Sequence, residues 1–130
     1  MIVYCAGGMR SGWQAKVKKA LPSKCIILNP ASFTLSEAEE YTARDLYLVR
    51  KADVVLANIE RDNPSGVGLA LEVGYGKALG CLVVLVDNRE WGLTTAKYFD
   101  IVANTADVVF DELEEALAFL KTVALQAAGA

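Results

Sequence analysis

Short β-branched, apolar runs alternate along this chain with longer stretches of helical periodicity, and that alternation constrains the fold more than any other feature. It predicts strands over residues 2–5, 25–28, 54–57 and 82–86, with a weaker fifth at 107–110. Helices are expected over 12–21, 36–51, 66–79 and 111–125. Strands separated by ten or more helical residues point to a parallel sheet covered on both faces. Right-handed crossovers then give one doubly wound α/β domain over residues 1–130, with a five-stranded, mainly parallel sheet of flavodoxin-like (Rossmann-like) strand order. The Ala/Gly tail after Leu125 is expected to fray.

What is missing from the chain narrows its chemistry. There is no histidine, so Ser-His-Asp and Cys-His catalysis are excluded, as are histidine-bearing zinc sites. Cys5, Cys25 and Cys81 are an odd number without a Cys-x-x-Cys pair. They are expected as small core residues in a reducing, cytoplasmic setting and not as a disulfide framework or a metal site. The longest apolar runs fall far short of a membrane span, and the N-terminal MIVYCAGG lacks the basic stretch of a signal peptide. A net charge of −3 gives no electrostatic ground for nucleic-acid polymers or anionic membranes as partners. Catalysis, if present, must run on carboxylates, tyrosine, lysine, arginine or backbone groups.

Open parallel sheets bind ligands outside the carboxyl ends of their strands. The segments expected there are AGGMRSG, NIERDNPSG and VDNREWG. In the first, Gly7 and Gly8 allow close backbone approach, Arg10 adds charge and Ser11 a hydroxyl, so the loop can cradle a phosphate or sugar hydroxyl. The plain alternative is a tight strand-to-helix turn that binds nothing. Gly7 and Gly12 have the spacing of a phosphate-binding P-loop, but Trp13-Gln14 stands where Lys-Ser/Thr is needed. Gly66 and Gly68 begin a dinucleotide fingerprint that Leu71 then breaks. Asn63-Pro64-Ser65 fits a helix start instead, with Asn63 or Ser65 as the cap.

Within the helix that follows, Glu72 lies four residues from both Gly68 and Gly76, on one helical stripe. Glycine costs a helix roughly 1 kcal/mol relative to alanine. The expectation is that both glycines clear a trough in which a ligand ring lies against the carboxylate. Ser65, seven residues before Glu72, shares its azimuth and suits the other end of the same ligand. The plain alternative is a solvated helix glutamate, but Leu69, Leu71 and Val73 leave little polar face and no Lys or Arg stands four residues away. Asp45 sits mid-helix beside apolar Leu46 and Leu48, with Tyr41 one turn earlier, either as a surface ion-pair partner or as a second acid. Tyr4 is expected on the first strand, either as core or with its hydroxyl at the strand end. Lys16, Lys18 and Lys19 read as a solvated helix face, and Glu112, Glu114 and Glu115 as favourable charges at a helix N-terminus.

VYCAGGMRSGW, ARDLYLVRKADVVLANI and NPSGVGLALEVGYGKALGCLVVLVD, in this order over residues 2–88, resemble the nucleoside 2-deoxyribosyltransferase family. That superfamily includes the 2′-deoxynucleoside 5′-phosphate N-hydrolases. The most specific element is Gly68-Leu-Ala-Leu-Glu72-Val-Gly74-Tyr75, followed by Ala78-Leu-Gly80. The resemblance implies a flavodoxin-like fold, Glu72 as nucleophile, Asp45 near base and sugar, and Tyr4 orienting the nucleophile. It also implies that Gly7-Gly8-Met9-Arg10-Ser11-Gly12 contacts a 5′-phosphate, with Ser65 close to a second phosphate-contacting serine. Asn63, Gly66 and Gly68 complete the substrate-binding set. Two departures are plain. Gly66 stands where many transferases hold an aspartate, and only Asn88 and Asn104 are candidates for an asparagine that transferases receive from a neighbouring subunit.

Residues and resemblance together lead to an enzyme that cleaves the N-glycosidic bond of nucleosides, most simply as a transferase. The partners are a small-molecule nucleoside, nucleoside monophosphate or free base, the cofactor requirement is none, and the assembly is a homo-oligomer. A nucleoside 5′-monophosphate N-glycosidase and a non-catalytic nucleotide-binding module remain the alternatives.

Overall fold

The computed structural model describes residues 1–62, 66–90 and 95–129. Five strands form one sheet: β1 (Ile2–Gly7), β2 (Ile26–Leu28), β3 (Val54–Ile59), β4 (Leu82–Asp87) and β5 (Val108–Phe110). They lie in the order β2-β1-β3-β4-β5, and every neighbouring pair is parallel. The helices are α1 (Trp13–Ala20), α2 (Ala38–Lys51), α3 (Val67–Ala78), α4 (Asp100–Thr105) and α5 (Leu113–Ala127). This is the doubly wound, flavodoxin-like order expected from the sequence. Strand order reverses between β1 and β3, which places a ligand crevice at their carboxyl ends.

Strand side chains alternate between the two faces, and each face has its own core. Val3, Cys5, Leu56 and Val84 pack under α1 and α5 with Trp13, Val17 and Leu120. Tyr4, Ala6, Val55 and Leu85 face α2, α3 and α4, against Val49, Leu69, Val73 and Val102. Residues 4 and 72 are therefore brought together on the α2–α3 side, while Asn58, next in register after Leu56, points to the α1–α5 side.

Differences from the sequence reading are local. The expected helix at 36–51 begins at Ala38, and β1 and β3 each run two residues further than expected. The six-residue α4, DIVANT, was not expected, because one and a half turns are too short to register a 3.6-residue period. Glu112 does cap α5, in a reciprocal box in which its backbone N–H donates to the Glu115 carboxylate at 3.1 Å. All three cysteines are free, and burial pushes the Cys5 thiol up to about 12. No helix among the described residues is long and apolar enough to cross a membrane.

Gly76 overturns one expectation. It clears no space for a ligand: a Cβ there would lie 2.6 Å from Cγ2 of Val55 on β3. The glycine lets α3 settle on the sheet. Val55 is β-branched and fully buried, so it cannot swing aside. Gly76→Ala is expected to destabilise the domain by about 1–2 kcal/mol despite alanine's better helix propensity. The check is a lower urea midpoint at unchanged slope, with the activity of the folded fraction retained.

Candidate active site

Tyr4 is fully buried in the middle of β1, and its hydroxyl donates a hydrogen bond to Oε2 of Glu72 on α3. Glu72 is half-buried, and no cation pairs with it among the described residues. Asp45 on α2 stands close enough for its charge to act on both groups. Sequence separations of 68 and 27 residues thus collapse to one cluster at the sheet face.

The electrostatics follow from this packing. Burial raises the Glu72 carboxyl from its ordinary 4.5 to about 7; the Tyr4 hydrogen bond opposes that rise and the Asp45 charge adds to it. Burial also pushes the Tyr4 phenol far up, reinforced by Glu72 and Asp45 and opposed by Arg44. Tyr4 therefore keeps its proton at any physiological pH and serves only as a donor to Glu72. Tyr4 engages Oε2 of Glu72, and no hydrogen bond to Oε1 is present among the described residues.

Arg44 was not singled out in the sequence, although it adjoins Asp45. Its Nε donates to Asp45 Oδ1 at 2.9 Å, and its Nη1 to the carbonyl of Phe33. The guanidinium ties the second acid to the segment ahead of α2. The plain alternative for Asp45, an arginine partner, is thus present together with proximity to Glu72.

The glycines divide by role. A Cβ at Gly68 would meet none of the described residues within 4 Å, unlike one at Gly76. Gly66 is buried, and a Cβ there would fall 2.1 Å from the Phe99 ring. Phe99 thus fills the side-chain direction at the position where a transferase aspartate was sought. Arg89, itself buried, ties down the chain on either side of Phe99. Arg89 grips Asp87 at the end of β4, with Nη2 to Oδ2 at 2.9 Å, and reaches the Ala96 carbonyl and Asp100 Oδ1 at 2.6 and 2.8 Å. In the polar VDNREWG segment, expected as ligand-facing, Val86 and Asn88 line a cleft while Arg89 binds the chain to α4; residues 91–94 lie outside the described residues.

The loop after β1 is fixed in shape. Gly7 has φ +146°, and a Cβ would lie 2.7 Å from the Asn58 carbonyl, so only glycine fits. The Gly8 carbonyl accepts from Trp13 Nε1 at 2.9 Å and Gln14 Nε2 at 3.0 Å. Gly12 caps α1 at φ +74°, and Met9 is exposed. Arg10 and Ser11 do not join the Glu72 cluster. They line a cleft of about 520 Å³ on the α1–α5 side of the sheet edge, together with Trp13 and Asn58. Asn63 and Ser65, the expected cap and ligand contacts, lie outside the described residues.

Comparisons with known proteins agree with this architecture. Solved structures with the same fold include a 2-deoxyribosyltransferase from Bacillus psychrosaccharolyticus (19% identity, TM-score 0.66, 90% of each chain covered). A 2-desoxiribosyltransferase from Leishmania mexicana is 18% identical, with TM-score 0.72 over 93% of this chain and 97% of that one. A CMP N-glycosidase from Clostridium botulinum is 16% identical, with TM-score 0.61 over 94% and 99%. No curated protein sequence matches. The sequence model described as nucleoside 2-deoxyribosyltransferase matches residues 3–115, which span both Tyr4 and Glu72. The chain belongs to the nucleoside 2-deoxyribosyltransferase family.

Proposed function

We propose that this protein is a nucleoside 2-deoxyribosyltransferase that works through Glu72. The observation that carries the reading is the buried Tyr4 hydroxyl bound to a half-buried, near-neutral carboxyl with Asp45 beside it. Oε1 of ionised Glu72 attacks the anomeric carbon as the N-glycosidic bond breaks, through an oxocarbenium-like state. The bond's electron pair leaves with the base, and Asp45 assists protonation of that base. The nitrogen of an acceptor base then attacks the anomeric carbon and returns the electron pair to Glu72. Tyr4 holds Oε2, which fixes the carboxylate plane, and the backbone at Gly68, which carries no side chain, admits the sugar. No step calls for a metal or redox cofactor.

The expected result is base exchange when deoxynucleosides and a free acceptor base are incubated with the protein and resolved by chromatography. Absence of turnover with every deoxynucleoside and deoxynucleoside monophosphate would sink the proposal. Free base without exchange would support the second reading, a nucleoside 5′-monophosphate N-glycosidase. That reading is favoured by Gly66, whose side-chain direction Phe99 fills in place of an aspartate, and by the likeness to a CMP N-glycosidase.

Because the nucleophile must be ionised, kcat/KM is expected to rise with pH through about 7. Tyr4→Phe removes a hydrogen bond that lowers the Glu72 pKa, so this rise should move to higher pH. It should also reduce kcat roughly 10- to 100-fold, the worth of a hydrogen bond to a charged group. A pH–rate profile that moves to lower pH would contradict the orienting role of Tyr4. Three free thiols support a reducing, cytoplasmic location. The exposed face of α2, with Tyr41 and Tyr47, supports a homo-oligomer, which sedimentation equilibrium tests.

A further inference from the structure

The helix that carries Glu72 starts on a packing contact and not on a cap. Gly66 opens α3: its carbonyl accepts the first helical bond, from the Ala70 N–H at 2.8 Å, and no side chain among the described residues caps the turn. An uncapped helix start takes its position from whatever packs on it. At Gly66 that is the edge of the Phe99 ring, since a Cβ there would fall 2.1 Å from Cε1 and 2.3 Å from Cζ. Further along α3, Gly76 rests on Val55. Glu72 stands between the two, six residues after the first contact and four before the second.

Phe99 is fixed in turn. It packs against the core that holds Tyr4, Leu69 and Val73. The chain around it is tied to the end of β4 by Arg89, which donates from Nη1 to the Ala96 carbonyl at 2.6 Å and to Asp100 Oδ1 at 2.8 Å. Nε of the same guanidinium donates to Asp87 Oδ1 at 3.0 Å. Asp87 ends β4, in register with Ile59 at the end of β3. Arg89 and Asp87 have side chains only 6% and 7% exposed, and an enclosed two-point arginine–carboxylate pair is strong and directional. A line of contacts therefore runs from the sheet through Arg89 and Phe99 to the first turn of α3. A helix is stiff over two turns, so a shift at its start is carried to Glu72.

We propose that Phe99, braced by Arg89, is a positioning residue for the Glu72 carboxyl: it sets where α3 starts against the sheet, and so how closely Glu72 meets the Tyr4 hydroxyl. The effect on rate rests on the reading of Glu72 as nucleophile; the placement of the carboxyl does not. With the ring removed, the uncapped first turn settles toward the vacated space and draws Glu72 off Tyr4. The Tyr4 hydrogen bond holds the Glu72 pKa down, so a looser bond keeps this carboxyl protonated to higher pH. A misplacement of about 1 Å costs on the order of 10²-fold in rate.

Carbon-13 NMR titration of the Glu72 carboxyl, assigned by its absence from Glu72→Gln protein, reads that placement without turnover. The midpoint, about 7 in the unaltered protein, should move to higher pH in Phe99→Ala and return most of the way in Phe99→Met, which refills the space. Over the same pair kcat should fall roughly 10- to 100-fold and recover, with KM changing far less. Gly66→Ala tests the contact itself. Its methyl meets the ring when Phe99 is present but refills part of the gap in Phe99→Ala, so the double variant should be faster than Phe99→Ala alone. An unmoved midpoint in Phe99→Ala, with the loss confined to the urea midpoint, overturns the proposal and leaves Phe99 as packing. A double variant slower than both single ones also overturns it. A midpoint that moves while turnover does not upholds the placement and contradicts Glu72 as nucleophile. If Phe99→Ala fails to fold, Asp100→Ala carries the test: its side chain is 55% exposed, it removes one tie to Arg89, and it should move the midpoint the same way by less. No movement there overturns the bracing by Arg89.

Discussion

Glu72→Gln is expected to lower kcat by roughly three orders of magnitude or more, because removing a nucleophile forfeits the covalent route altogether. The same substitution should make the protein more stable above neutral pH. Glu72 has a folded pKa of about 7 against an ordinary 4.5, so the folded state holds this proton more tightly than the unfolded chain. The stability attached to the neutral form is fully present below about 4.5 and is lost as pH rises through about 7. Glutamine is permanently neutral and avoids that loss. The gain at pH 8 should be on the order of 2 kcal/mol, allowing for the partial exposure of the group. It should vanish near pH 4. Urea midpoints at the two pH values measure it. A large loss of activity with a pH-dependent gain in stability is the signature of a carboxylate held for chemistry at the expense of the fold.

Asp45→Asn is the second large effect. A positioned acid contributes about 10²–10⁴ to rate, so kcat/KM should fall roughly 10²- to 10³-fold. The charge of Asp45 raises the Glu72 pKa, so its removal should move the acid limb of the pH–rate profile to lower pH, opposite to Tyr4→Phe. The fall should be smaller for substrates whose base is a good leaving group, since these need less protonation. Equal losses for good and poor leaving groups would reassign Asp45 from the departing base to the placement of the sugar. Arg44 makes a useful contrast. It touches Asp45 and the Phe33 carbonyl and none of the atoms of Glu72, so Arg44→Ala acts mainly through the position of Asp45 and should cost less than Asp45→Asn.

The pairing of Tyr4 with Glu72 was legible only through the family resemblance: the residues alone left Tyr4 as core or as a strand-end hydroxyl, and marked Glu72 by its apolar helix neighbours. The alternation of strands and helices pointed to the doubly wound class, while the flavodoxin-like strand order was one choice within that class that the resemblance also implied. Gly76 was misread because a helical stripe does not say which side faces the sheet. Its spacing from Glu72 matched that of Gly68, yet one lies on Val55 and the other meets none of the described residues. Phe99 over Gly66 was not visible at all, because it depends on a contact between segments distant in sequence and breaks no periodic pattern. Arg89 shows the converse: within a polar loop that reads as ligand-facing, this arginine turns inward to the buried Asp87 while Val86 and Asn88 line the cleft.

The most direct test is to quench the enzyme in acid during turnover of a deoxynucleoside without an acceptor base, digest it and map adducts by mass spectrometry. A glycosyl ester on Glu72, absent from Glu72→Gln protein and discharged when an acceptor base is added before the quench, is the predicted result. A deoxyribosyl adduct on any other side chain, or undiminished turnover by Glu72→Gln, would contradict the account.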